Sequence, residues 1–186
     1  MRAFTRPLAM FATHQPLTTR GLVNAGAIVV LSGCAAAGIG VGTSVLDGSG
    51  LSGVVSSLLV PLLFLAYWGV QAWLIDAGAG MLGRAGSRRA MLVASAPAFR
   101  TWIVYALVTL VEAAAARSEG AGSPLAIALT VLTLPVLLWF LALTVRAVRD
   151  VYDVPAINAF ALALLPYAAV ALALVIVSAA GGLFRG

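Results

Sequence analysis

The chain has 186 residues, of which 62% are hydrophobic and only 9% are charged, and its mean hydropathy is +1.08. Soluble domains carry about 25% charged residues, so this composition excludes a soluble globular protein and predicts a chain that folds in a lipid bilayer. Every basic residue is an arginine, and the formal net charge is +5. Because the arginines lie in short segments between apolar runs, they favour anionic lipid headgroups as partners and do not indicate nucleic-acid binding.

Five apolar runs are long enough to cross a hydrocarbon core of about 30 Å, which requires about 20 helical residues. The sequence therefore predicts an all-α membrane protein, a bundle of five transmembrane helices within a domain over residues 21–182. Residues 1–20 contain prolines and arginines that interrupt any apolar run, so they predict a cytoplasmic or interfacial segment and no cleavable signal peptide. The five predicted spans cover residues 21–41, 54–76, 95–116, 124–145 and 158–180.

The first predicted span carries small residues four positions apart, at Ser32, Ala36 and Gly40. This spacing places small side chains on one helix face and lets the backbone of a second helix approach closely. We interpret the three residues as a helix-packing face. The pattern leaves open whether the partner helix belongs to this chain or to another protein.

The second predicted span ends in an acidic residue, Asp76, which is followed by a glycine-rich loop with several arginines. One interpretation is a carboxylate at the membrane boundary, near Arg84 or Arg100. The other is a buried partner of Arg100 at the inner end of the third helix. Both place Asp76 in a candidate charge cluster at the inner membrane interface, made of Asp76, Arg84, Arg88, Arg89 and Arg100.

Four predicted spans contain a proline inside or near the apolar run. Each proline removes a backbone donor and can kink its helix, either as a structural feature or beside a ligand cavity. The four predicted kinks are at Pro61, Pro97, Pro135 and Pro166.

Counting arginines by side predicts the orientation of the chain. With the N-terminus in the cytoplasm and the C-terminus outside, eight arginines lie in inner segments and two in outer segments. The inner set is Arg2, Arg6, Arg20, Arg84, Arg88, Arg89, Arg146 and Arg149, and the outer set is Arg117 and Arg185. Trp73, Trp102 and Trp139 then fall near inner helix ends, as expected of an interfacial aromatic belt.

The sequence contains no motif that predicts catalysis or metal binding. Cys34 is the single cysteine, and His14 is the single histidine, so neither a disulfide nor a multi-ligand metal site is predicted. Glu112 and Arg100 are twelve residues apart on one helix, too far to pair directly. We therefore predict no catalytic residues, no metal, no cofactor and no enzymatic activity.

Three segments resemble the bacterial form of the Yip1-domain family of five-span membrane proteins. They are RPLAMFATHQPLTTRGL with Pro7 and Phe11, MLGRAGSRRAMLVASAPAF at 81–99, and LLWFLALTVRAVRDVYDVPAINAFALALLP at 137–166. The aspartate-leucine-tyrosine-glycine signature of eukaryotic members, which act in vesicle transport, is absent. The resemblance implies a non-enzymatic helix bundle that engages other membrane proteins.

Two functions remain open from the sequence. The first is an accessory or scaffold protein of the bacterial cytoplasmic membrane that packs against other membrane proteins or a larger membrane complex. The alternative is a small membrane transporter, channel or lipid-handling protein, which would use the prolines together with Asp76, Arg100 and Glu112.

Overall fold

The computed structural model describes residues 18–84, 86–120 and 122–183, and these residues form helices joined by short connections, with no strand among them. Five helices are long and apolar enough to cross a membrane, which confirms the predicted all-α fold and the predicted number of spans. The third is broken by a short 3₁₀ segment. The elements are α1 Thr19–Asp47, α2 Gly50–Met81, α3 Arg88–Ser95, the 3₁₀ segment Ala96–Arg100, α4 Thr101–Glu119, α5 Pro124–Tyr152 and α6 Ala156–Leu183.

Polar residues start and stop these helices where the sequence leaves the apolar runs. The hydroxyls of Thr18, Ser87 and Ser123 each accept a hydrogen bond of 3.2 Å from a backbone amide in the first turn of α1, α3 and α5. At the other end of α5, Asp153 takes a left-handed conformation (φ 48°) two residues before Pro155, so the helix ends there. The helices consequently extend beyond the apolar runs, and α5 continues seven residues past its predicted end at 145.

The closest helix contact joins α1 to α2. A side-chain Cβ at Gly33 would lie 2.8 Å from the backbone Cα of Pro61, and one at Gly40 would lie 2.9 Å from the Oγ of Ser57. At position 33 a larger residue would overlap the backbone of the neighbouring helix, so this separation of the two helices requires glycine there. The two helices therefore pack as a tight antiparallel hairpin.

The third span runs parallel to α1, and side chains connect the two at both ends. Arg89 donates a hydrogen bond of 3.2 Å from Nη2 to the hydroxyl of Thr19. Arg117 lies 28 residues further along, and its Nη1 donates to the carbonyl oxygens of Val45 at 3.2 Å and Leu46 at 3.0 Å. The latter two bonds satisfy carbonyls at the C-terminal end of α1 that have no partner within the helix. The two contacts fix the axial register of α1 against the third span.

We call the end of the bundle that holds the beginning of α1 and α3 and the end of α5 the basic end. Two groups of buried side chains fill the interior from this end towards the middle. The first includes Ile75, Met91, Val148, Tyr152 and Leu162. The second includes Val29, Trp68, Phe99 and Phe140.

Residues 1–17 and 184–186 lie outside the described residues. The predictions that involve Arg2, Arg6, His14 and Arg185 therefore have no structural counterpart here, and neither has the family-like opening with Pro7 and Phe11.

Candidate functional site

Asp76 accepts two interactions at the basic end of the bundle. The hydroxyl of Tyr152 donates a hydrogen bond of 2.9 Å to Oδ1, and the Nε of Arg88 lies 3.9 Å from Oδ2. The side chain of Asp76 is 28% exposed, and Tyr152 is buried. The side chain of Asp76 is therefore partly exposed at the basic end, and its charged partner is Arg88 in place of the Arg84 or Arg100 that we predicted.

The loop between α2 and α3 closes over this cluster. A Cβ at Gly86 would overlap the ring of Tyr152, so the loop backbone lies directly against the ring and only glycine fits there. Sequence reasoning did not identify Tyr152 as part of the cluster, because it is 76 residues from Asp76. The sequence did hold one signal for Tyr152, its position close to a helix end rich in charged residues. Tyrosine has an apolar ring and a polar hydroxyl, so it is common where an apolar interior meets polar surroundings.

The remaining arginines of the predicted cluster lie apart from Asp76. Arg84 is exposed in the loop, and Arg89 turns towards Thr19 of α1. Arg100 ends the 3₁₀ segment, twelve residues beyond Arg88 and so about 18 Å further along the helix axis. The structure thus assembles Asp76 and Arg88 and separates the other three.

Arg100 lines a cleft of about 230 Å³ between α1 and the third span. Its neighbours there are Ile28, Leu31, Ser32 and Ile103. The arginine is exposed, and no described residue forms a hydrogen bond or ion pair with it.

Glu112, the other ionisable residue inside the third span, has a partner on α5. Its Oε1 accepts a hydrogen bond of 2.5 Å from the hydroxyl of Thr130, which also lies 3.1 Å from the carbonyl oxygen of Ala126. The carboxylate therefore connects α4 to the N-terminal part of α5, away from Arg100.

A fully buried polar pair lies between α2 and α5. The amide Nε2 of Gln71 is 3.5 Å from the hydroxyl of Thr144, and that hydroxyl donates at 3.0 Å to the carbonyl of Phe140. The Oε1 of Gln71 has no hydrogen-bond partner among the described residues, although the residue is 0% exposed. The pair connects α2 to α5 at this position, and it leaves the Oε1 of Gln71 without a hydrogen bond.

The predicted packing face is buried inside this chain. Ser32 and Ala36 are 2% and 8% exposed, and Gly40 lies against Ser57 of α2. The partner helices are therefore α2 and the third span, which answers the question that the sequence left open. Gly33, next to the predicted face, lies against the backbone of Pro61 in α2 and was not among the predicted residues.

The four prolines occupy different environments. Pro61, Pro135 and Pro166 lie inside continuous helices, whereas Pro97 lies in the first turn of the 3₁₀ segment. Pro61 contacts Gly33 of α1, and Pro166 is fully buried. Pro135 is exposed on α5.

An aromatic cleft of about 430 Å³ lies beside Pro166, between α2, the third span and α6. Trp102 forms one wall, with its ring centroid 5.9 Å from that of Phe64 and 5.5 Å from that of Phe140. Trp102 therefore packs against aromatic rings of α2 and α5. The aromatic side chains that line the cleft are Phe64, Tyr67, Phe99, Trp102 and Tyr167.

The described residues contain no group of three or more His, Cys, Asp or Glu side chains that could hold a metal ion. Comparisons with protein-family models, with curated proteins and with solved structures find no match to this chain. The features of the described chain that bear on its function are the charge cluster, the two clefts and the exposed helix surfaces.

Proposed function

We propose that this chain is a non-enzymatic accessory or scaffold protein, similar to bacterial Yip1-domain proteins, that packs against other proteins in the bacterial cytoplasmic membrane. In this proposal the basic end faces the cytoplasm, where six arginines of the described chain meet anionic lipid headgroups. The N-terminus is then cytoplasmic and the C-terminus is outside.

The observation that carries the proposal is the uncovered second half of α6. Ala159, Leu162, Ala163 and Pro166 hold the first half of this helix against the bundle. From Tyr167 onwards, every side chain of α6 that the structure describes is exposed. In this second half, the ring of Tyr167 packs against α2, and the other described side chains form a largely exposed surface.

The composition of this uncovered half favours contact with another protein helix. Membrane helices associate through surfaces rich in small residues, because small side chains allow close backbone approach and many van der Waals contacts. Alanines alternate with larger side chains such as Val170 and Leu172, which are 50% and 60% exposed. The exposed alanines are Ala168, Ala169, Ala171 and Ala173.

Purification from native membranes in a mild detergent tests the proposal. We expect a membrane-protein partner in stoichiometric amount with the wild-type chain. Ala169→Trp, which adds bulk to the exposed face of α6, should remove the partner, whereas Leu58→Trp on the exposed face of α2 should retain it. A chain that migrates alone in several detergents, or a partner that survives Ala169→Trp, would contradict the proposal.

The aromatic cleft favours a second candidate, a lipid-handling protein. The cleft has an almost wholly apolar lining and lies where exposed residues of α2 and α6, Leu63 and Val170, border it. Such a surface suits an acyl chain. This function predicts that the reconstituted protein moves fluorescent phospholipids between leaflets and that Phe64→Ala slows the movement. Protein-free and protein-containing vesicles with equal rates would exclude it.

A further inference from the structure

The axial position of Arg100 follows from the contacts between α1 and the third span. Arg100 shares its cleft with Ser32, which lies 13 residues after Thr19 and 15 residues before Asp47 in α1. At 1.5 Å per residue these separations are about 20 Å and about 22 Å. Arg89 connects to Thr19 at one end, and Arg117 connects to the other. Arg100 itself is 11 residues after Arg89 and 17 residues before Arg117, so it lies inside the span, nearer the basic end, at a level that a hydrocarbon core of about 30 Å centred on the bundle would cover.

Among the residues that the structure describes, no carboxylate pairs with Arg100. Asp76 is bound by Tyr152 and Arg88, and Glu112 is bound by Thr130. The other four acids lie at helix ends: Asp47 and Glu119 end α1 and α4, Asp150 lies in the last turn of α5, and Asp153 follows α5. A charged group at this depth is normally paired, and this one is exposed towards the surroundings of the bundle.

The surroundings of Arg100 specify the chemistry of its partner. A guanidinium presents parallel N–H donors that match the two oxygens of a carboxylate. Ile28, Leu31 and Ile103 give the cleft apolar walls, and Leu31 is 68% exposed at its edge. A volume of about 230 Å³ accommodates a side chain entering from the membrane side. Lipid phosphates lie at the interface, about 18 Å along the helix from Arg100 if Arg88 marks that interface.

We propose that Arg100 is the docking point for a transmembrane helix of a partner protein that carries a glutamate or aspartate at its middle. The helix lies over the cleft between α1 and the third span, and its carboxylate pairs with the guanidinium. This inference rests on the proposed accessory function, since it names the kind of partner. It uses a surface that is distinct from the uncovered half of α6.

A synthetic transmembrane peptide tests this pairing without the native partner. The probe is a leucine- and alanine-rich helix with lysines at both ends and one glutamate at its midpoint, and its matched control carries glutamine there. Energy transfer between the labelled peptide and the labelled full-length chain is measured in phosphatidylcholine vesicles. We expect the glutamate peptide to associate about three- to thirtyfold more strongly than the glutamine peptide, as polar helix–helix pairs allow.

The variant Arg100→Gln should lose this preference, whereas Arg84→Gln, in the exposed loop, should keep it. Helical content and elution volume show whether each variant is folded. Equal association of the two peptides with the wild-type chain overturns the proposal without any variant.

A preference that persists in Arg100→Gln also overturns the proposal. An anionic phospholipid retained by the wild-type chain in native mass spectrometry and lost from Arg100→Gln, without a peptide preference, assigns Arg100 to a lipid phosphate and overturns it too. Because the probe is synthetic, peptide binding and co-purification of a native partner can fail independently.

Discussion

At the scale of single residues, Asp76 has two polar partners, Tyr152 and Arg88, and the two contacts differ in length and in burial. The bond from Tyr152 to Asp76 is short and its donor is buried, whereas Arg88 is separated from the same carboxylate by 3.9 Å and its side chain is 56% exposed. A hydrogen bond from a buried donor to a charged acceptor contributes more than a solvated ion pair. The tyrosine should therefore be the stronger of the two partners.

We expect Tyr152→Phe to lower the free energy of unfolding by about 1–2 kcal/mol, because it removes the hydroxyl and retains the buried ring. Arg88→Gln should lower it by less than about 1 kcal/mol, because the pair is long and partly solvated. Both are measured by denaturant titration of the protein in detergent micelles. A larger loss for Arg88→Gln than for Tyr152→Phe would show that the ion pair holds the cluster.

Gln71 is the opposite case. Its side chain is fully buried, but its Oε1 accepts no hydrogen bond from any described residue. We expect Gln71→Met to raise the free energy of unfolding by about 1 kcal/mol, because it replaces an unpaired amide oxygen with an apolar group of similar length. Thr144→Val removes the side chain that accepts from Gln71 within the described part of the chain, and it should lower stability in the same titration. A destabilised Gln71→Met variant would mean that the amide makes further interactions in the membrane.

At the scale of helices, the sequence predicted that α1 packs through small residues but did not predict which way the helix turns. Ser32, Ala36 and Gly40 form one row, and Gly33 belongs to the next. Both rows contain small side chains four positions apart, so spacing alone cannot choose between them. The row of α1 that packs most closely is determined by Pro61 and Ser57 of α2. These two residues come close to α1 only in the folded structure.

The contact between α1 and α2 predicts a clear difference between two glycines. We expect Gly33→Ala to lower the free energy of unfolding by about 1–3 kcal/mol, because the new Cβ would lie 2.8 Å from the backbone of Pro61. Gly38→Ala is the matched control, since no atom lies within 4 Å of its Cβ, and should change stability by less than about 0.5 kcal/mol. Similar effects of the two substitutions would show that the helices are further apart in the membrane.

The third span shows why the depth of a charged residue is hard to predict from hydropathy. The predicted span began at residue 95, so Arg100 was assigned to its inner end. The structure begins the helix at Arg88, whose N-cap is Ser87, and Arg100 therefore lies twelve residues inside the span. Arg88 and Arg89 lower the local mean hydropathy, so a hydropathy average starts the span near residue 95. The helix itself begins about two turns earlier.

At the scale of the whole molecule, composition alone was sufficient to predict five membrane-length helices, because nothing but helices satisfies the backbone of such apolar runs in lipid. The pairing of those helices depends on contacts such as Arg117 with the end of α1, which join residues more than 70 positions apart. Such contacts leave no periodic signal in a single sequence. The candidate site was therefore predicted only as a set of charges, of which two meet.

Cysteine labelling tests the orientation of the bundle. In a Cys34→Ser background, which removes the single cysteine, we expect Ser118→Cys to react with a membrane-impermeant maleimide on intact cells and Arg84→Cys to react only after the cells are opened. Arginine-rich segments remain on the cytoplasmic side, and position 118 lies at the opposite end of the bundle. Reaction of Arg84→Cys on intact cells would reverse the proposed topology.

The close fit of α1 against α2 has a consequence for how the chain is made. Only two residues, Gly48 and Ser49, separate these helices, and their glycine contacts need no residue beyond α2. The pair can therefore associate as soon as α2 leaves the ribosome and enter the bilayer together as a helical hairpin. The later helices would then pack against a pair of helices, α1 and α2, that has already formed.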